Sequence, residues 1–550
     1  MKKRIFYILI LIIIICIMFV SPTVIDNKET GLGYFRTFLA RHNYHEEAAH
    51  TRIKQKKHPE SLMVNGIACA YDISTNTYYC PLSVDIKECN YENIDLTFLK
   101  TQERIYIDDK LVNDSFQMEV KFNHSYKVRV KALFYKSECN LVFTQTPTIV
   151  INSEVNIYSD NIASIRCLDP YYLEHDKESM VYEGDALVSL RGGMTFGYPK
   201  KNYKIKLYEN YVGRTKVSLF GMRMDDDWIL DASYIDKTKM RKKVVMDLWG
   251  DMSTVYYYNK MRNAPNSKHV EVFVNDKYCG LYILSERIDR KLLNLKENTT
   301  GVSGGVIYKT KAWRYDDQPY ARFGVPVAEV DPYSQEWLVF DCEYPRLRNT
   351  GFIDWTPYYD LSHLVHADTD TFNKQIINMV DLDNLAEYFI FVNLIKGEDN
   401  IGKNIIWSVV DTSDDDLNKM FITAWDLDYS FGHDFQNKVC PTTGVLSNYL
   451  FKRLIKYNTN GFVDLINEKW VDLRESIITE EYITTAFMNE YNALKEAGCY
   501  EREGMTWHTN ATKSMEDTAK EEIDFISNWT EERIAYLDVA IPKLYDRIGK

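Results

Sequence analysis

Two aspartates, Asp426 and Asp428, stand two positions apart in Trp-Asp-Leu-Asp-Tyr-Ser-Phe-Gly, residues 425–432, directly after the apolar run Phe-Ile-Thr-Ala. On an extended segment, residues two apart share a face, so both carboxylates can reach one hard cation. The flanking Trp425, Leu427 and Phe431 are apolar, which sets the acids at the end of a buried strand rather than in a solvated turn. Gly432 permits a sharp exit from that strand.

Upstream, Asp399 and Asn404 are separated by four residues in Lys-Gly-Glu-Asp-Asn-Ile-Gly-Lys-Asn, between a helical pattern and an apolar strand-like run. This is the spacing of a kinase catalytic loop, in which the Asp orients and deprotonates a hydroxyl and the Asn holds a second magnesium. The order after it is a strand, a run of acids (411–416, read as an exposed hairpin turn), another strand, and then Asp426 near a phenylalanine and a glycine. A phosphate cradle belongs in the strand-rich half, and Gly192, Gly193 and Gly197 supply backbone N–H groups with room to approach an anion. Lys204 and Lys206 alternate onto one face of the next strand, where a lysine can neutralise phosphate.

Other motifs fail on geometry. Gly301-Val302-Ser303-Gly304-Gly305 fits G-x-S-x-G, but a strand comes after it where the nucleophile elbow needs a helix. His45 and His50 lie five apart, on different faces of any helix, so they do not form a zinc pair. His363 and His366 sit one helical turn apart with no third ligand, and read as packed or surface side chains.

These residues need elements to position them. The chain has 550 residues, 45% of them hydrophobic, enough for a large core and several domains. A net charge of −13 leaves no basic stripe to grip nucleic acid. Three positive charges and the apolar run 5–20 open the chain; residues 1–28 read as a signal anchor or signal peptide that exports the remainder, with membrane contact through this segment. Residues 29–60 read as a polar stalk, 61–150 as a small antiparallel, sandwich-like β domain, and 151–310 as strand-rich with one helix over YIDKTKMRKKVVMDLWGDM. A hairpin turns near Asn275-Asp276, and from about 375 amphipathic helices dominate, one of them capped by Asp381 or Asp383. The fold class is α+β with two lobes, a strand-rich N-lobe over 151–310 and a helical C-lobe over 311–550. Nine cysteines lie outside the apolar segment, none in C-x-x-C spacing; Cys69, Cys80, Cys89 and Cys139 are the candidates for disulfides in an exported chain.

Five ordered blocks, RGGMTFGYPKKNYKIKL, WILDASYIDKTKMRKKVVMDLW, VEVFVNDKYCGLYILSERID, EDNIGKN and WDLDYSFG, resemble the CotH-like family of atypical protein kinases over roughly residues 150–540. The resemblance implies a two-lobed kinase-like fold that binds ATP and magnesium and phosphorylates Ser or Thr hydroxyls of exported, cell-surface or spore-coat proteins. It makes Asp399 the catalytic base, Asn404 and Asp426 magnesium ligands, and Asp428 a supporting acid at the metal. Lys206 or Lys204 would touch the phosphates, Glu286 would lie near the nucleotide, and Arg241 would be structural. The chain departs from the family pattern at Gly193 and Met194, where Asn and Ser are usual; backbone contacts to phosphate survive this change and side-chain contacts do not. An inactive scaffold used for surface binding, or nucleotidyl transfer from ATP, are the alternative readings.

Overall fold

The computed structural model describes residues 62–548, apart from 84–95, 98–103, 114–117, 132–135, 211, 258–261, 300–301, 312–328, 339, 435–437 and 510. The expected anchor and stalk, and Cys89, lie outside the described residues. Among the described residues no helix is long and apolar enough to cross a membrane.

The chain is mixed α+β, with a strand-rich part and a helical part. Its first sheet uses six strands within 70–144, and one of its pairs, Thr77–Pro81 with Lys136–Thr144, is parallel, so this region is not purely antiparallel. Cys69, Cys80 and Cys139 are free, buried thiols in this sheet's core, where they pack as small apolar side chains in place of the disulfides expected for them.

Seven strands then close a barrel: β1 (Thr148–Asn152), β2 (Asn161–Leu168), β3 (Val181–Arg191), β4 (Asn202–Glu209), β5 (Asp227–Asp231), β6 (Ser267–Val274) and β7 (Tyr278–Glu286). Their order is β3-β2-β1-β6-β7-β5-β4, and β3 pairs again with β4 to complete the circuit. Alternate residues such as Ile149, Ile165, Ala186, Val188, Ile205, Trp228, Val272 and Tyr282 fill the interior, so the barrel is a packed core and not a pore. Closure rests on β1 running parallel to β6, with Thr148 opposite Glu271. That pairing joins segments far apart in the chain, and local alternation carries no trace of it. The Asn275-Asp276 turn between β6 and β7 has φ of 52° and 57° at those residues, the left-handed conformation that Asn and Asp tolerate best.

A second sheet comes next, with β8 (Val306–Thr310) and β10 (Ile405–Val409) at its centre, β9 (Phe340–Tyr344) beside β8 and β11 (Phe421–Ala424) beside β10. It packs with α1 (Arg241–Met252) and the C-terminal helices into the largest core. The helix α2 (Leu382–Ile395) is apolar almost all round and buried along its length, and the Asp381 carboxylate caps it by accepting from Asn384 N–H at 3.1 Å. The last helices, α3 (Glu480–Glu496), α4 (Cys499–Trp507) and α5 (Met515–Ala540), close over the barrel and over the segment 425–432.

Candidate functional site

The hairpin of β10 and β11 builds the centre. Ile405 pairs with Ala424, so Asn404 and Trp425 continue the two strands side by side, with Asp426 next in line. Both strands end in left-handed residues: φ is 58° at Asn404 and 59° at Asp426. Asn and Asp are the non-glycine residues for which this conformation costs least, so the sequence and the bend agree. Asp399 opens a single 3₁₀ turn, Asp399–Ile401, before β10, and its carboxylate lies 3.5 Å from Lys403 Nζ. The turn is tied to the acid segment through Asn400, whose buried side-chain amide donates to Trp425 O at 2.8 Å. At the far end of the segment, Gly432 has φ of +97°, and a Cβ there would come within 2.8 Å of Phe525. The expected sharp exit is real, and it also lets α5 approach.

Asp426 and Asp428 face one ammonium. Lys242, in the first turn of α1, places Nζ 2.7 Å from Asp231 Oδ2 and 3.4 Å from both Asp426 Oδ1 and Asp428 Oδ1. Burial disfavours the charged lysine, but Asp231, Asp428 and Asp426 outweigh it and raise its pKa. Asp231 takes the shortest contact; although buried, it is held down to about 2 by Lys242. Asp428 is left with burial and the repulsion of Asp231 and Asp426, which together exceed the attraction of Lys242 and push it up to about 7. One cation shared among three carboxylates cannot neutralise them all.

Arg241, next to Lys242, fixes the base of this arrangement. Its guanidinium donates to Ser430 O at 2.5 Å and pairs with Glu522 of α5 at 2.5 Å, joining α1, the acid segment and the C-terminal helix.

On the other side of Trp425 lies a cationic cleft between barrel and sheet. It is lined by Arg191, Lys204 and Ile229 from the barrel, by Arg287 and Ile288 just after β7, and by Lys309, Glu343, Ile406 and Trp425 from the sheet side. Lys204 and Ile229 are cross-strand partners on one wall, and Lys309 and Ile406 on the other. Arg191, Lys242 and Lys309 all approach the Trp425 ring, at 5.8, 5.8 and 5.4 Å from its centroid. Arg287 is occupied by Asp227 and Glu343, each at 2.9 Å. Among the described residues, Arg191 and Lys309 have no carboxylate within 4 Å. Burial and then the neighbouring Arg287 push Lys204 down to about 8, and burial with Arg191 and Lys242 nearby lowers Lys309 as well. Like charges held this close cost free energy until an anion joins them.

The glycine-rich loop covers the opposite flank of the acids. Gly192 has φ of +117°, and a Cβ on it would collide with the Thr195 side chain. A short 3₁₀ turn, Met194–Gly197, follows Gly193. Thr195 and Tyr198 from this loop, with Asp231, Lys242, Asp428 and Tyr429, line a small cavity of about 30 Å³, the space of a single water. Thr195 Oγ1 is buried there with no hydrogen-bond partner among the described residues.

The other residues singled out in the sequence fall elsewhere. Lys206 shares the outward face of β4 with Lys204, yet it pairs with Asp160 at 3.0 Å. Glu286 is fully buried and accepts from the backbone amides of Arg223 and Asn266, each at 2.9 Å, which are the contacts of a brace. Within the acidic run, Asp414, Asp415 and Asp416 are exposed as expected, but Asp411 is buried against Lys296 and Ser413 because it closes the β10–β11 connection. His363 packs edge-on against Tyr359, with ring centroids 4.4 Å apart. Sequence reasoning passed over Arg191, Asp231, Lys242, Arg287 and Lys309. The available signal was a charge ending or interrupting an apolar strand, as in Trp-Ile-Leu-Asp and Val-Ile-Tyr-Lys.

The donor set suits magnesium held jointly with phosphate. Among the described residues no group of three or more His, Cys, Asp or Glu stands ready to hold a metal by itself. Magnesium is usually bound by one or two carboxylates plus water and substrate phosphate oxygens, and Asp426 with Asp428 supplies that many.

A family model described as CotH kinase protein matches residues 188–537, well over half of the chain, from within β3 to the last turn of α5. No curated protein matches the chain.

Proposed function

From the premise that this chain belongs to the CotH kinase protein family, and is therefore kinase-like, we propose that it transfers the γ-phosphoryl group of ATP, with magnesium, to Ser or Thr hydroxyls of exported proteins at the cell surface or spore coat. The observation that carries the reading is the surplus of positive charge at Trp425. Arg191 and Lys309, with no carboxylate within 4 Å among the described residues, face a cleft whose own acid, Glu343, is taken by Arg287, next to a carboxylate cluster that has too little positive charge. A polyanion bridging to a divalent cation settles both imbalances at once.

In this reading the barrel acts as the N-lobe, and the second sheet with the C-terminal helices as the C-lobe. Arg191, Lys204 and Lys309 hold phosphate oxygens, and Asp426, Asp428 and Asn404 hold magnesium, which when bound neutralises charge on the transferring group. Asp399 accepts the proton of the acceptor hydroxyl. Gly192, Gly193 and Gly197 shape the loop on the opposite flank of the acids, where it closes over the metal side rather than over the cleft. The cleft holds about 120 Å³, well below the ~300 Å³ of a pocket for a whole ligand, so it suits a phosphoryl group while the base and ribose lie outside it. The apolar run 5–20 exports the site and tethers it to the membrane.

The test is incubation with magnesium and ATP labelled on either the γ or the α phosphate, beside Asp399→Ala and Asp426→Ala. Label from the γ position that both substitutions abolish supports the proposal. Label from the α position means nucleotidyl transfer, and absence of nucleotide binding leaves a kinase-like scaffold.

A further inference from the structure

Lys242 occupies the position where the acidic cluster most needs positive charge. Oxygens of three carboxylates, from the end of β5 and from the segment after β11, converge on its Nζ at 2.7, 3.4 and 3.4 Å. Among the described residues no other cation lies within 4 Å of Asp426 or Asp428. An ordinary structural ion pair needs only Asp231, whose side chain is 8% exposed. The other two acids are partly open to water, Asp426 at 42% and Asp428 at 27%, and gain little from a lysine in the folded state alone.

The root of Lys242 is fixed by its neighbour, while its tip is held by salt bridges alone. Arg241 N–H donates to Asp236 at 2.9 Å, and its guanidinium clamps the acid segment, so the first turn of α1 cannot shift relative to residues 430–431. The four-carbon stem, by contrast, carries a compact charge on rotatable bonds. From where it stands, Nζ is already 5.8 Å from the Trp425 ring, whose other neighbours are Arg191 and Lys309 of the anion cleft.

On the reading that Asp426 and Asp428 serve a nucleotide-bound magnesium, we propose that Lys242 is a tethered counter-ion that holds this cluster when no metal is bound and yields it, turning towards the phosphates, when metal arrives with nucleotide. A free divalent ion then competes with a covalently attached cation and binds weakly. Metal that comes with nucleotide offers Lys242 new anionic partners and binds well. Lys242 is thus a positioning residue that couples the two binding events, and the coupling is reciprocal.

The experiment measures Mn²⁺ affinity of the full chain by electron paramagnetic resonance, with and without a non-hydrolysable ATP analogue, for wild type, Lys242→Met and Lys242→Gln. Without nucleotide, both variants are expected to bind Mn²⁺ at least ~10-fold more tightly than wild type, because the tethered cation that competes for the carboxylates is removed. The analogue should tighten Mn²⁺ binding strongly in wild type and far less in the variants. Lys242→Gln keeps a donor for Asp231, and carries the test if Lys242→Met does not fold. A folded variant whose nucleotide-free Mn²⁺ affinity is unchanged or weaker overturns the counter-ion role, and if Mn²⁺ with analogue still binds, the proposed site stands without it. No Mn²⁺ binding by any of the three proteins, with or without analogue, overturns both. Unfolding of both variants would make Lys242 purely structural, and would also overturn the proposal.

Discussion

Replacing Asp428 by Asn is expected to leave the stability of the metal-free protein unchanged below about pH 4 and to stabilise it increasingly from there to neutral pH. Burial, with Asp231 and Asp426 nearby, pushes the Asp428 carboxyl from 3.8 up to about 7. The folded state therefore keeps a proton that the unfolded chain releases. Between those two values the folded protein binds more protons, so wild-type stability falls as pH rises, and it levels off once the folded carboxyl has also ionised. At ~1.4 kcal/mol per pH unit the interval gives a ceiling of ~4 kcal/mol. Water reaches 27% of the side chain and screens the repulsion, bringing the expected plateau to ~2–3 kcal/mol. The substituted Asn side chain has nearly the same shape and no charge to desolvate, so the variant lacks this slope. The assay is urea denaturation in the presence of a chelator, in steps from about pH 4 to pH 8. The difference, variant minus wild type, should grow from zero to the plateau. A difference that is flat across pH, or a wild type more stable than the variant at the alkaline end, would overturn this expectation, because it would mean that Lys242 neutralises all three acids after all.

Three further outcomes rest on the geometry. Lys204 loses its charge as pH rises through about 8, so affinity for the ATP analogue should fall across that range in calorimetric titrations, and Lys204→Arg should remove the fall. Gly432→Ala combines a left-handed backbone with a Cβ driven into Phe525 and Trp529, and should cost ~2–5 kcal/mol in denaturant unfolding. A loss under about 1 kcal/mol would show that α5 can move aside. Glu286→Ala strands the buried amides of Arg223 and Asn266 and should cost about 3 kcal/mol or more, with nucleotide affinity of the folded protein unchanged; lost affinity at unchanged stability would place Glu286 at the nucleotide instead.

The sequence was readable wherever a local rule decides the outcome. Asp381 caps α2 because a carboxylate is the natural acceptor for the first free amides of a helix, and Asn275-Asp276 turn the β6–β7 hairpin because both tolerate positive φ. That Asp426 and Asp428 share one cation was expected from alternation on an extended segment, but Asp426 is left-handed, with φ of 59°, and the cation they share is the ammonium of Lys242, far away in the sequence. What could not be read depends on distant pairing. The barrel closes through the parallel pairing of β1 with β6, and no residue in either strand signals its partner. Once closed, the barrel sets Arg191 and Lys204 across from Lys309, and brings Lys242 of α1 to acids that lie far along the chain. In the sequence Lys204 is marked by its alternation with Lys206, and Arg191 and Lys309 only as charges ending apolar strands, while Lys242 is one among 66 basic residues. Glu286 is a different case: the CotH-like pattern puts it near the nucleotide, whereas the fold commits its two oxygens to backbone amides, and the Glu286→Ala measurement decides between the two roles.

If the Trp425 cleft receives phosphate and the neighbouring acids share the accompanying metal, a crystal structure with manganese and a non-hydrolysable ATP analogue will show both at once. Phosphate oxygens are expected against Arg191 and Lys309, manganese in contact with Asp426, and Lys242 Nζ withdrawn from the carboxylates. Phosphates bound away from Trp425, with Lys242 still between Asp231, Asp426 and Asp428, would mean that the cleft is not the phosphate site and that the acids are held for structure alone.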